Sequence, residues 1–133
     1  MKNNMFGISK EGFRRLAQNL DNEYSITVEV GDNEVATVGD NEVAIAGDGG
    51  TANAGVYGTA IVGEQGVATV GNGGKASAGD GGIAAAGRSG EITIRYFDKK
   101  RDKWDYKVGY IGEDGLKPNV MYKVDEDGEF IEA

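Results

Sequence analysis

The side chains of this chain best spaced to do chemistry are carboxylates. Asp32, Asp48, Glu64 and Asp80 follow one another at intervals of sixteen residues. Stacked one per level, they would stand about 4.8 Å apart, the spacing of neighbouring strands. That is close enough to share a calcium ion or attract a basic protein partner, and close enough to repel when neither is bound. Asp40, Val56, Asn72 and Arg88 hold the alternate positions and could do neither uniformly. Other chemistry is narrower. Cysteine is absent, so there are no disulfides, thiolate nucleophiles or thiolate metal sites. Histidine is absent too, and with it the side chain most readily tuned for proton transfer near neutral pH. Ser25, Ser77 and Ser89 have no Ser-x-x-Lys arrangement, and Gly47-Asp48-Gly49-Gly50 lacks the Lys-Ser/Thr pair of a phosphate loop. No catalytic, metal-ligating or cofactor-binding set is assigned, and the expectation is a protein that is not an enzyme and needs no cofactor.

The elements that would position these carboxylates are set by glycine. Gly31, Gly39, Gly47, Gly55, Gly63, Gly71, Gly79 and Gly87 recur every eight residues, a strong repeat signal. With that glycine as position 1, position 4 is Glu34 and Glu42 and then glycine from Gly50 to Gly90. Position 6 is alanine from Ala36 to Ala84 and ends in Ile92. Position 8 is apolar throughout, from Val38 to Ile94. Two apolar positions separated by one residue have the period of a strand. Gly-x-x-Gly then supplies a corner, where glycine takes positive φ or permits close backbone approach. Such a unit can bury its inward side chains only by stacking on its neighbours. The methyl-sized position 6 predicts a thin interior with two octads per sixteen-residue coil and four coils in all. The fold class expected is all-β: a narrow β-solenoid of octapeptide repeats over 31–94, with a short N-terminal helix and a small C-terminal antiparallel sheet.

The flanks read as caps. Within 1–30, Ser9 can cap a helix whose Phe13, Leu16, Ala17 and Leu20 form one stripe over the first coil, followed by a lead-in strand from Tyr24 to Val30. Within 95–133, strands Trp104–Tyr110, Met121–Val124 and Glu129–Ile131 are expected to form, with Ile92–Phe97, a sheet whose own core holds Trp104 and most other aromatic residues.

Two octads per coil place positions 5 and 7 outward. One broad face then shows Val35, Thr37, Thr51, Asn53, Val67, Thr69, Ile83 and Ala85, without a charge; the other carries Val43, Ile45, Thr59, Ile61, Lys75, Ser77, Glu91 and Thr93. A flat uncharged face of Val and Thr is a candidate for self-association, a dimer before a trimer. Fourteen Lys and Arg against 22 Asp and Glu give a formal charge of -8, which argues against direct nucleic-acid binding. No apolar run of membrane-spanning length and no secretory leader is read, so a cytoplasmic location is expected.

Three resemblances bear on function. Gly39-Asp40-Asn41-Glu42-Val43-Ala44 and its relatives, over about half the chain, resemble Gly/Ala-rich octapeptide-repeat β-solenoid proteins of bacteria or phages that carry a short terminal domain. A phage origin would imply an acidic inhibitor of a host defence protein, with Asp32, Asp48, Glu64 and Asp80 as its contact, and a fibre or adhesin fragment would imply a trimer. Thr37, Thr51 and Thr69 resemble the Thr-x-Thr ladders of ice-binding solenoids, from which Val35, Asn53, Val67, Ile83 and Ala85 depart. The calcium-binding β-roll differs in its nine-residue period and in a second Asp that this chain lacks. The leading expectation is a non-catalytic protein-interaction or self-assembly module.

Overall fold

A computed structural model describes residues 26–133, and the expected N-terminal helix around Ser9, Phe13, Leu16 and Leu20 lies outside the described residues. Twelve strands form among the described residues: β1 (Thr27–Glu29), β2 (Val35–Thr37), β3 (Val43–Ile45), β4 (Thr51–Asn53), β5 (Thr59–Ile61), β6 (Val67–Thr69), β7 (Lys75–Ala78), β8 (Ile83–Ala85), β9 (Glu91–Asp98), β10 (Lys103–Tyr110), β11 (Tyr122–Val124) and β12 (Phe130–Glu132). They alternate between two six-stranded sheets, ordered β1-β3-β5-β7-β9-β10 and β12-β11-β8-β6-β4-β2. Parallel pairing at a constant offset of sixteen residues, as in Ala44 beside Ala60 and Ala52 beside Ala68, makes this a β-solenoid with two octads per coil. No helix forms among the described residues, and none is therefore long and apolar enough to cross a membrane.

The core follows the predicted sidedness. Ala36, Ala44, Ala52, Ala60, Ala68 and Ala84 are fully buried, and position 8 contributes Val38, Ala46, Val62, Val70, Ala78 and Ala86. Larger side chains close the two ends of the described interior: Ile26, Val28 and Val30 at one, Ile92, Ile94, Ile111, Leu116 and Tyr122 at the other.

Seven corners are β-turns closed by the N–H of position 4 on the carbonyl of position 1, as in Gly50 N to Gly47 O at 3.1 Å. Positive φ falls on position 3, at Asn33, Asn41, Gly49, Tyr57, Gln65, Gly73, Gly81 and Ser89, and not on the two repeated glycines. Those are needed for close approach. A Cβ on Gly47 would lie 2.1 Å from Asp32 Oδ1 and 2.9 Å from Asp32 N. On Gly50 it would lie 2.7 Å from the Ala46 Cβ and 2.9 Å from the Glu34 carbonyl oxygen. Glycine at position 1 also lets successive corners bond directly, Gly47 N to Gly31 O at 3.2 Å and Gly63 N to Gly47 O at 3.3 Å.

The C-terminal strands differ from the single sheet expected. β9 leaves β7 in the last coil and returns antiparallel as β10, extending one sheet. β11 lies antiparallel to β8 and carries β12 on its other side, extending the second sheet. Alternation within strands shows which residues share a face, but not which sheet each strand joins.

Candidate functional site

The acidic edge forms as a structural ladder. Asp32 Oδ1 accepts the backbone N–H of Asp48 at 2.9 Å, and Asp48 Oδ1 accepts that of Glu64 at 2.9 Å. On the opposite edge Asp40 Oδ1 accepts from Val56 N at 2.8 Å and Asn72 Oδ1 from Arg88 N at 2.9 Å. A short side chain carrying a carbonyl-type oxygen reaches one coil up and satisfies an N–H that the corner leaves over. Asn72 does this as well as the aspartates, so the charge is incidental to the role. The ladder skips Glu64 and Val56, which have the wrong length or no acceptor. Asp32, Asp48 and Glu64, with Asn33 and Gln65, border a shallow groove. Among the described residues no group of three or more acidic side chains is gathered closely enough to hold a metal ion.

The first coil carries a second use of carboxylates. Later glycines at position 1 donate to the corner glycine one coil before, whereas Gly31 N donates to Glu34 Oε1 and Gly39 N to Glu42 Oε1, each at 2.7 Å. The two glutamates at position 4 thus supply the acceptors that a preceding corner gives every later coil.

The predicted uncharged face assembles on the outside of β2, β4, β6 and β8. Val35 is 53 % exposed, while Thr51, Asn53, Val67, Thr69 and Ile83 are half-buried. Asn53 Nδ2 donates to Thr37 Oγ1 at 3.4 Å, and Thr69 Oγ1 donates to Asn53 Oδ1 at 2.6 Å, a polar ladder down the middle of the face. Ala85 departs from the expectation: it is 6 % exposed, where the segment entering β11 runs against β8 and Asn119 N bonds the Ala86 carbonyl at 2.8 Å.

A row of exposed apolar side chains lies on the other sheet. Register sets Tyr110 beside Glu91, Val108 beside Thr93, Tyr106 beside Arg95 and Trp104 beside Phe97. These side chains point outward, because Ile92 and Ile94, between them on β9, are buried inward. Trp104, Tyr106, Val108 and Tyr110 are all exposed, Tyr106 to 61 %. This corrects the expectation that they fill a C-terminal core. What is turned inward from β10 is instead Gly109, whose missing side chain leaves room for Leu116 and Phe130. Trp104 is held by an edge-on contact to Phe97 at 5.2 Å and by the Arg95 guanidinium 4.5 Å above its ring. The half-buried Arg95 Nε makes no hydrogen bond.

The inner side of the β9–β10 ribbon is braced. Tyr96 packs over Gly128 in the β11–β12 turn, and Lys99 pairs with Glu126 at 3.2 Å. Between β10 and β12 runs an open groove of about 600 Å³, bordered by Lys107, Leu116, Tyr122, Glu129 and Phe130. Its mixed lining brings together no nucleophile with a base. No family model, no curated protein and no solved structure matches this chain.

Proposed function

We propose that this chain is a non-catalytic protein-interaction module of the cytoplasm, a rigid solenoid that presents the outer face of β10 to a protein partner. The observation that carries the reading is the row of Trp104, Tyr106, Val108 and Tyr110, exposed together on one strand. Aromatic residues that remain in water on a braced sheet are the usual anchors of protein contacts, since they bury much area and lose few rotamers on binding. Ile45 and Ile61 continue the apolar surface along the same sheet, interrupted by Lys75 and Ser77 on β7. The acidic edge supports a contact with a basic partner less well, because Asp32 and Asp48 already accept backbone N–H groups.

A photo-crosslinking residue at position 106, in cells making the protein, tests this reading. A discrete protein adduct from position 106, and none from position 51 on the opposite sheet, is the expected result. Absence of any adduct at 106 would refute it.

A further inference from the structure

We infer that β10 is a self-complementary sheet edge, and that its partner is a second copy of this chain, paired antiparallel about Tyr106. This rests on β10 being the contact strand and specifies what it contacts.

Three features of the edge support it. Among the described residues β10 is the last strand of its sheet, and it is eight residues long, without proline. Exposed edges of that length are templates for further pairing unless blocked. The backbone groups of Trp104, Tyr106 and Val108 face away from β9: Ile111 N bonds Gly90 O at 2.9 Å, so the alternate residues 109, 107, 105 and 103 are the ones turned toward β9. The third feature is charge. Asp105 and Lys107 flank Tyr106 symmetrically on the face opposite the aromatic row.

A two-fold axis through Tyr106 sets Asp105 of each copy opposite Lys107 of the other, twice. It also sets Trp104 opposite the other copy's Val108, and Tyr106 opposite itself. The neighbouring in-phase registers are worse. Centring on Lys107 opposes two lysines, and centring on Asp105 opposes two aspartates and sets Lys103 against Lys107. Like charges directly opposite destabilise a sheet, and opposite charges support it. A palindromic charge pattern on a free edge therefore selects a copy of itself over an arbitrary strand. In the single chain, Asp105 Oδ1 holds the Tyr106 N–H at 2.8 Å and its other oxygen pairs with Arg101. Lys107 stands 3.9 Å from the exposed Glu129. On pairing, Asp105 releases the Tyr106 N–H to the Tyr106 carbonyl of the second copy and turns to Lys107 there.

Sedimentation of the full chain over a hundredfold concentration range should show a reversible dimer. The only tryptophan, Trp104, should shift its emission to the blue as the dimer forms. Asp105→Lys and Lys107→Asp, each with parent-like circular dichroism, should weaken the dimer about tenfold or more. An equimolar mixture of the two should dimerise again, because positions 105 and 107 are then both basic in one copy and both acidic in the other. The double swap Asp105→Lys/Lys107→Asp should behave as the parent, and it keeps the test informative if one single variant folds poorly. A monomeric parent, or a dimer that ignores both reversals, overturns the inference. A monomer that still gives a foreign adduct from position 106 overturns only the self-pairing and leaves the interaction module standing.

Discussion

The solenoid coils and the C-terminal hairpins share two sheets but are held by different means. In the coils every corner repeats one step: a backbone or Asx oxygen bonds the residue sixteen further on, as from Gly31 to Gly47 and from Asp32 to Asp48. Order in one coil therefore imposes order on the next, and the interior needs little more than methyl groups. The β9–β10 and β11–β12 hairpins depend on local turn chemistry, single aromatic contacts and exposed ion pairs, such as Asp98 with Arg101 and Tyr122 against Phe130 at 6.4 Å. A defect in the coils should spread, and one in a hairpin should stay local.

The sharpest way to break this contrast is to enlarge the interior. Ala68 is fully buried between Ala52 and Ala84 in a sheet with a fixed sixteen-residue register. Ala68→Leu should lower stability by about 3 kcal/mol or more, because neither the facing sheet nor the neighbouring coils can withdraw. Thr51→Val, on the outer face of the adjoining strand, should stay within about 0.5 kcal/mol of the parent. Equal melting temperatures for the two variants would refute the assignment of inside and outside.

That assignment is legible in the sequence because one period governs it. Positions 6 and 8 read as inward from the recurrence of small apolar residues two apart, and the sixteen-residue coil from the thinness that alanine at position 6 demands. Position 3 is not legible, since Asn, Gly, Tyr, Gln and Ser all occupy it and no single type announces positive φ. Glu34 and Glu42 look like departures from glycine, and their use appears only against the corner bonds of later coils. The aromatic row on β10 reads as a core because alternation identifies one face of a strand without showing whether anything covers it. The signal against that reading is Gly109, the one residue of the opposite face small enough to let Leu116 and Phe130 approach.

The first coil offers the next largest test. Glu34→Ala or Glu42→Ala should each cost about 1 kcal/mol, since the N–H of Gly31 or Gly39 loses an acceptor at 2.7 Å. The double variant should expose β1 and β2 to hydrogen exchange before β9 and β10. Loss of protection in the hairpins first would contradict coil-by-coil propagation.

A smaller effect should run the other way. Tyr57 sits at position 3 with φ of 58°, a conformation that costs most side chains energy and that asparagine tolerates. Its ring covers Gly73 in the next coil yet remains mostly exposed, so little burial is lost on replacement. Tyr57→Asn should raise stability by about 0.5–1 kcal/mol in denaturant melts. A lower midpoint would mean that the ring's contact with Gly73 outweighs the strain.

The smallest expected effect belongs to the hairpin side. Asp98 Oδ2 accepts from Arg101 Nε at 2.8 Å, and Oδ1 accepts the backbone N–H groups of Lys100 at 3.0 Å and Arg101 at 3.2 Å. The Arg101 side-chain bond, opposed by partial desolvation and aided by the two N–H groups, holds the Asp98 carboxyl below its ordinary value of 3.8. A depressed carboxyl pKa stabilises the folded turn above the unfolded value, and that contribution disappears as the pH falls through the depressed one. Acid should therefore loosen the β9–β10 turn, next to Phe97 and the Arg95–Trp104 stack, without melting the alanine interior. Trp104 emission, read at a concentration low enough to keep the chain monomeric, should change over this acid range while far-ultraviolet dichroism holds. Asp105 also pairs with Arg101, so comparison with Asp98→Asn isolates Asp98: that variant should show a weaker acid transition. Equal transitions in parent and variant would refute the role of Asp98, and simultaneous loss of dichroism would show that turn and coils unfold as one unit.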